Sequence, residues 1–195
     1  MKRAFDITAA SVGLVLLSPL LLFVSLLIKL DSPGPSLFRQ ERIGKGFRPF
    51  RIYKFRTMVQ DAPAIGGTIT FGRDPRITRV GQVLRKIKID ELPQLINVLR
   101  GEMSFVGPRP EVRRYVELFC EDYAEILKVP PGITDLASLQ YRHEAEILGR
   151  SENPEEQYVK YVLPEKIRLA KEYLSQSSLR FDLILILKTL LSLLR

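Results

Sequence analysis

The first 31 residues form the most hydrophobic part of the chain. No charged side chain interrupts the apolar sequence from Ile7 to Ile28, and Lys2, Arg3 and Lys29 flank it. At a rise of about 1.5 Å per residue, a straight helix of this length just covers a bilayer core of about 30 Å. No small-residue cleavage site follows, so we interpret the segment as a retained membrane helix and not as a signal peptide.

Ser18-Pro19 lies at the middle of this predicted helix. Proline donates no backbone N–H and its ring crowds the carbonyl four residues earlier, so we expect the helix to bend or break there. Two arrangements are open on the residues alone. One is a kinked helix that spans the bilayer, and the other is a helix-break-helix that enters one leaflet and returns to the same side. Basic residues flank both ends, so the positive-inside rule does not choose between them.

After Asp31 the hydrophobic pattern becomes that of a water-soluble domain with short elements. We expect an α+β fold in two parts: the membrane helix at 1–31 and a compact domain at 32–195. The last predicted helix is too short to span a bilayer, so we expect it to lie in the interface or to cover the core. Strands are predicted near 50–55 and 103–106, a loop at 59–78, and helices at 79–88, 90–100, 112–128, from 154 to the early 170s, and 179–194.

Composition narrows the class of protein. The chain has 195 residues, a net charge of +8 and a mean hydropathy of +0.02. This length supports about one globular domain besides the membrane helix. Cys120 and His143 are too few for a structural zinc site, which takes four ligands, and a single cysteine excludes a disulfide scaffold. The positive charge lies in residues 1–110, which predicts an anionic partner such as nucleic acid, anionic lipid or a phosphorylated small molecule.

A basic ribbon at 36–58 accounts for much of this charge. Its aromatic side chains alternate with arginine and lysine, which by composition is typical of a nucleic-acid surface. The ribbon follows the membrane segment directly, so contact with phospholipid or polyprenyl phosphate fits equally well.

The acid pair Asp90-Glu91 lies between a predicted basic helix and a predicted apolar one. One interpretation is structural: Asp90 caps the second helix and Glu91 faces water. The other is chemical. A carboxylate beside Arg85, Lys86 and Lys88 stays ionised at pH 7, as a nucleophile must, and Glu91 can hold Mg²⁺ against a diphosphate.

A second candidate is the segment Gly107-Pro108-Arg109-Pro110. Two prolines with fixed φ enclose one arginine, so the guanidinium is presented on a rigid backbone. Such a group suits bidentate recognition of phosphate. The alternative is a stiff turn whose arginine faces solvent.

Read together, these motifs resemble the bacterial sugar transferase family, the small monotopic polyprenyl-phosphate phosphoglycosyl transferases. The resemblance covers nearly the whole chain. The matching segments are KRAFD at 2–6, SP at 18–19, YKFRTM at 53–58, LR at 84–85, DELPQ at 90–94, NVL at 97–99, GEMSFVGPRP at 101–110 and PGIT at 131–134.

The resemblance implies a re-entrant helix broken at Ser18-Pro19 and a catalytic domain on the cytoplasmic face of the bacterial inner membrane. It implies transfer of a phospho-sugar from a UDP-sugar to a polyprenyl phosphate, expected to be undecaprenyl phosphate, with release of UMP. This would be the first membrane step of polysaccharide or glycoconjugate synthesis. The expected partners are the donor, the acceptor and membrane lipid, with no nucleic acid and with a homo-oligomer left open.

The resemblance also implies residue roles. Asp90 would be the nucleophile that carries a covalent phospho-sugar, and Glu91 would assist binding of Mg²⁺. The substrate-binding residues that it implies are Lys54, Arg56, Arg85, Arg109 and Arg142.

The chain departs from the family pattern at 135–142. Asp135 stands where many members have glycine, and Tyr141 replaces a glycine before Arg142. We expect this region to bear on the choice of nucleotide or sugar. The long N-terminal extension of larger relatives does not appear in the sequence, which therefore resembles a minimal catalytic member.

The rival hypothesis is a non-catalytic peripheral module whose basic half binds anionic lipid or nucleic acid. The acid pair separates the two hypotheses, because a polyanion binder gains nothing from carboxylates inside its basic region.

Overall fold

The computed structural model describes residues 1–65, 70, 74–142 and 144–193. Parts of the predicted loop at 66–69 and 71–73, and His143, lie outside these residues. The described elements are α1 Lys2–Asp31, β1 Leu37–Ile43, β2 Pro49–Phe55, α2 Ala62–Ile65, α3 Arg79–Lys86, α4 Leu95–Arg100, β3 Ser104–Val106, α5 Arg113–Leu118, α6 Cys120–Ile126, β4 Gly132–Thr134, α7 Leu136–Gln140, α8 Glu144–Leu148, α9 Pro154–Gln157, α10 Leu163–Gln176 and α11 Leu179–Leu193, with 3-10 helices at Lys45–Phe47 and Ile89–Gln94 and a π-helical turn at Tyr158–Val162.

Helix α1 is one continuous α-helix of 30 residues and is long and apolar enough, by length and composition, to cross a membrane. Its helical structure continues through Pro19, so the predicted helix-break-helix is not what the structure has. The Ser18 hydroxyl donates to the carbonyl oxygen of Val15 at 2.8 Å. This is the carbonyl that Pro19 leaves without its N–H partner. A local side-chain hydrogen bond therefore replaces the missing backbone bond and lets the helix continue.

One face of α1 lies on the rest of the protein from end to end. Near its start, the Asp6 carboxylate accepts hydrogen bonds from the Ser104 hydroxyl at 3.1 Å and from the Phe105 N–H at 3.2 Å. Near its end, Val24 and Ile28 are buried against side chains of β2 and α3. Both ends of α1 therefore contact the same domain.

The opposite face of α1 is apolar and exposed to solvent. Such a large contiguous patch is typical of a surface that contacts lipid or another protein. Its side chains that are more than half exposed are Val12, Val15, Leu16, Leu22, Phe23, Leu26 and Leu30.

The C-terminal helix α11 covers the core, which is one of the two predicted arrangements, because Leu185 and Asp182 are buried on its inner face; its predicted place in the membrane interface stays a prediction. It packs on β3, β4 and α7. Its outer face leaves Leu187, Leu190 and Leu191 more than half exposed. This helix thus has an apolar outer face like that of α1.

The mixed helix and strand fold is confirmed, and the described strands form two small sheets. β1 and β2 make an antiparallel hairpin, while β3 and β4 pair in parallel. The Asn97 side chain binds the free edge of β2, since its Oδ1 accepts from Tyr53 N at 3.0 Å and its Nδ2 donates to Arg51 O at 2.8 Å. This contact joins α4 to the strand that carries Lys54.

The predicted helix at 112–128 is two helices, α5 and α6. Phe119 lies between them with φ of −123° and ψ of 43°, which is not helical. The predicted helix from Pro154 to the early 170s is present as α9 and α10, joined by the π-helical turn.

Candidate active site

Asp90 lies in the 3-10 helix Ile89–Gln94, between α3 and α4. The residue that precedes this helix is Lys88, in a left-handed conformation with φ of 58°, and no side chain caps the helix. The interpretation of Asp90 as a helix cap is therefore wrong. Asp90 is 8% exposed, and its buried Oδ1 accepts no hydrogen bond from the residues that the structure describes.

In contrast to Asp90, Glu91 has a charged partner at each of its carboxylate oxygens. Its Oε1 accepts from Lys54 Nζ at 2.7 Å and from one terminal nitrogen of Arg109 at 2.5 Å, and its Oε2 lies 3.4 Å from the other. Lys54 comes from β2 and Arg109 from the loop after β3, so three separate segments meet here. The acid that follows Asp90 is thus held between two cations.

These surroundings move the pKa values of the two acids in opposite directions. Burial raises the pKa of Asp90 above its ordinary value, and the charge of Glu91 adds to the rise, although Lys54 and Arg85 act against it. Burial also disfavours ionised Glu91, but Arg109 and Lys54 hold the pKa of Glu91 well below its ordinary value. Two neighbouring carboxylates with separated pKa values are typical of catalytic sites.

The two cations differ as well. Burial lowers the pKa of Lys54, against the effect of Glu91. Glu91 raises the pKa of Arg109 above the ordinary arginine value, despite burial. Arg109 therefore remains a fixed positive charge at every physiological pH.

Arg85 approaches Asp90 from the last turn of α3. Its Nε donates to the Thr57 hydroxyl at 2.8 Å, and burial lowers its pKa, although the charge of Asp90 acts the other way. Gly81 makes this position possible, because a Cβ there would lie 2.1 Å from the Thr57 carbonyl oxygen. Only glycine lets α3 come so close to the segment that follows β2.

Arg56 and Arg142 are not brought together with this cluster. The Arg56 guanidinium donates to the Ser32 carbonyl oxygen at 2.7 Å and to the Pro33 carbonyl oxygen, just after α1 ends. Arg142 donates to the Ser192 carbonyl oxygen in α11. In this structure both arginines bind backbone carbonyls, so their predicted contacts with substrate stay predictions.

The structure adds Thr57 and Asp135 to the predicted residues. Thr57 orients Arg85, and Asp135 binds the backbone N–H of Arg109 at 3.1 Å. Asp135 could be singled out in the sequence as a departure from the family pattern, but its contact with Arg109 spans 26 residues and needs the fold.

The described residues contain no cluster of three or more Asp, Glu, His or Cys side chains that could hold a metal ion. Mg²⁺ commonly binds through one or two carboxylates together with substrate phosphate oxygens, and Asp90 and Glu91 fit that smaller donor set. Both Glu91 oxygens already contact cations. Oδ1 of Asp90 is therefore the carboxylate oxygen of this pair that is free to bind the ion. The predicted role of Glu91 toward the ion stays a prediction.

The sequence profile described as bacterial sugar transferase matches residues 1–195. The chain belongs to the bacterial sugar transferase family. This sugar transferase is similar to the UDP-glucose:undecaprenyl-phosphate glucose-1-phosphate transferase of Caulobacter vibrioides. The two are 41% identical over 198 aligned positions, and the alignment covers 99% of this chain and 69% of that relative.

Two further relatives are much longer than this sugar transferase. The UDP-N-acetylgalactosamine-undecaprenyl-phosphate N-acetylgalactosaminephosphotransferase of Aeromonas hydrophila is 48% identical over 151 residues, which are 75% of this chain and 35% of the relative. The UDP-glucose:undecaprenyl-phosphate glucose-1-phosphate transferase of Escherichia coli is 39% identical over 194 residues, covering 97% of this chain and 39% of that protein. The sugar transferase therefore spans little more than a third of the length of these two. Membership of this family gives no support to the rival module that only binds polyanions.

Proposed function

We propose that this sugar transferase moves a phospho-sugar from a UDP-sugar to undecaprenyl phosphate and releases UMP. The names of the relatives include this acceptor and a sugar, and the chain covers most of its relative from Caulobacter. The observation that carries the proposal is the state of Asp90: a buried carboxylate with an unpaired oxygen, beside an acid already neutralised by Lys54 and Arg109.

In the first step, an Asp90 oxygen attacks the sugar-proximal phosphorus of the donor. A phosphorus–oxygen bond to Asp90 forms and the bond to UMP breaks, so the electron pair and the negative charge leave with UMP. Arg85, Lys54 and Arg109 are cations close enough to the acid pair to stabilise the charge on the phosphates. A buried carboxylate oxygen without a hydrogen bond is destabilised in its ionised form, which favours its attack on phosphorus.

In the second step, a phosphate oxygen of the acceptor attacks the same phosphorus. The bond to Asp90 breaks, the carboxylate is regenerated, and polyprenyl diphospho-sugar is the product. Mg²⁺, held by Asp90 or Glu91 with the diphosphate, would neutralise charge on the phosphates.

The test is UMP release from UDP-glucose and UDP-N-acetylgalactosamine, each with and without undecaprenyl phosphate. We expect sustained UMP release only with the acceptor, and parallel double-reciprocal lines. We also expect a phospho-sugar adduct that is seen in the intact mass of the chain and located on the Asp90 peptide after digestion. Intersecting lines together with no adduct would contradict the covalent step. No UMP release from any UDP-sugar in a wider panel would contradict the transfer itself.

We further propose that the domain lies on the cytoplasmic face of the inner membrane with both ends of α1 on that side. The donor is water-soluble and cytoplasmic, while the acceptor phosphate lies at headgroup level. The contacts of both ends of α1 with one domain support this topology, and so does the apolar exposed face of the helix.

Single cysteines at Ala4 and Pro35, in a Cys120→Ser background, test the topology. Both positions are exposed and lie at opposite ends of α1. We expect an impermeant maleimide to label both from the cytoplasmic side only. Labelling of position 4 from the periplasmic side would contradict this topology and support a helix that spans the bilayer.

A further inference from the structure

Asp135 is a buried carboxylate behind the loop that carries Arg109. It is 3% exposed, and each of its oxygens accepts one backbone N–H. Oδ1 accepts from Ser138 at 2.7 Å and caps α7, while Oδ2 accepts from Arg109 at 3.1 Å. The second bond does not contribute to the cap of α7, because Arg109 belongs to a loop 26 residues earlier in the chain.

The loop before Arg109 is already held by backbone bonds to β4. Gly107 N donates to the Thr134 carbonyl oxygen at 3.1 Å, and Gly132 N donates to the Pro108 carbonyl oxygen at 3.0 Å. A Cβ at Gly132 would lie 2.1 Å from Gly107 N, so the two backbones are in direct contact. These bonds fix the loop up to the residue before Arg109.

We propose that Asp135 is a positioning residue for Arg109. Its carboxylate fixes the backbone N–H of Arg109, while the guanidinium of the same residue reaches Glu91 at 2.5 Å. When a donor phosphate competes with Glu91 for this guanidinium, the side chain can turn while its backbone stays in place. The inference rests on the proposed transfer, because the ligand assigned to Arg109 is a phosphate of the donor.

A carboxylate suits this position better than a neutral acceptor. Hydrogen bonds to a charged partner are stronger than those between neutral groups. The negative charge of Asp135 also stabilises the partly buried guanidinium, although Glu91 contributes more. Glycine, which the family resemblance places here in many members, has no side chain to make either bond.

Two variants separate this role from capping. Asp135→Asn and Asp135→Ser both keep a residue that caps helices well, so α7 retains its cap. Neither supplies a second acceptor for the Arg109 N–H. We expect the KM for the donor to rise about tenfold and kcat to change by less than about threefold, because a hydrogen bond to a charged group is lost from a residue that binds substrate.

The matched control is Asn153→Ala. Asn153 caps α9 by accepting from Glu156 N at 3.2 Å, and it makes no contact with the acid pair. We expect this variant to lower the melting temperature with no change in KM. UMP release is measured with UDP-glucose or UDP-N-acetylgalactosamine, whichever the unaltered chain uses, and affinity for UDP is measured by calorimetry.

A double-mutant cycle tests whether Asp135 acts through Arg109. In an Arg109→Lys background, we expect Asp135→Asn to raise the donor KM by less than about twofold, because coupled residues are not additive. Full additivity, or an unchanged KM and UDP affinity in both variants at position 135, would overturn the proposal. A chain that binds UDP more weakly after Asp135→Asn but never releases UMP would support the positioning role and refute the proposed transfer.

Discussion

Asp90→Asn is expected to abolish UMP release and to make the protein more stable. The amide cannot act as an anionic nucleophile, so we expect turnover to fall by about 10³-fold or more. The same change removes a buried charge whose Oδ1 has no donor among the described residues. An unsatisfied buried polar group costs about 1 kcal/mol or more, so we expect the free energy of unfolding at pH 7.5 to rise by about 1 kcal/mol and the melting temperature by a few degrees.

The pH dependence of this stabilisation follows from the raised pKa of Asp90. A carboxyl whose pKa is higher in the folded than in the unfolded state favours folding while protonated, and this contribution is lost as pH rises through the folded pKa. The gap in melting temperature between Asp90→Asn and the unaltered chain should therefore widen as pH rises, measured in EDTA to exclude bound metal. Asp61→Asn, which removes an exposed acid, is the control and should change neither property. Residual UMP release above a few per cent would rule out Asp90 as the nucleophile.

Glu91→Gln is expected to lower both activity and stability. Glu91 compensates Lys54 and Arg109, and its removal leaves two partly buried cations without their shared anion. Breaking such an ion pair by removing one partner typically costs about 3 kcal/mol, so we expect a fall in melting temperature of several degrees. We also expect at least about a hundredfold loss of UMP release, because the cations lose their fixed positions.

The sign of the pH effect at Glu91 is opposite to that at Asp90. The pKa of Glu91 is held well below its ordinary value, so its contribution to stability is present at pH values above the unfolded pKa and is lost as pH falls through the folded pKa. The deficit of Glu91→Gln should therefore be full at neutral pH and shrink in acid. Equal melting temperatures for Glu91→Gln and the unaltered chain at pH 7.5 would show that the ion pair contributes nothing to the fold.

The sequence predicted most of the helices and the strands β2 and β3 near their observed places, but it missed β1, β4 and the short helices α2, α7 and α8. α1 follows from an uninterrupted apolar run, and α11 from a largely apolar one. β4 is only three residues long, too short to show alternation, and its parallel partner is distant in sequence. The division of α5 from α6 at Phe119 leaves no mark in residue type, because the sequence there is compatible with helix.

The candidate site was predicted as a set of residue types, and the structure decides which of them meet. The structure brings together three separate segments, which carry Lys54, Arg109 and the group Arg85, Asp90 and Glu91. Arg56 is two residues from Lys54, yet its guanidinium binds the chain after α1. The sequence pattern did not predict this contact of Arg56. The carbonyls left free at the end of a helix can bind an arginine only after the tertiary structure has brought the two together.

The contact of α1 along its whole length has a practical consequence for preparing this protein. One face of α1 is part of the core, since Ala10, Val24 and Ile28 are almost fully buried and Arg3 donates to the last carbonyls of α4. A truncated protein that begins at residue 32 would expose the apolar side chains of β2, α3 and α4 that these residues cover. We expect such a fragment to aggregate. The protein should therefore be purified in detergent or nanodiscs with residues 1–31 present, because they are needed for the folded domain and do more than anchor it.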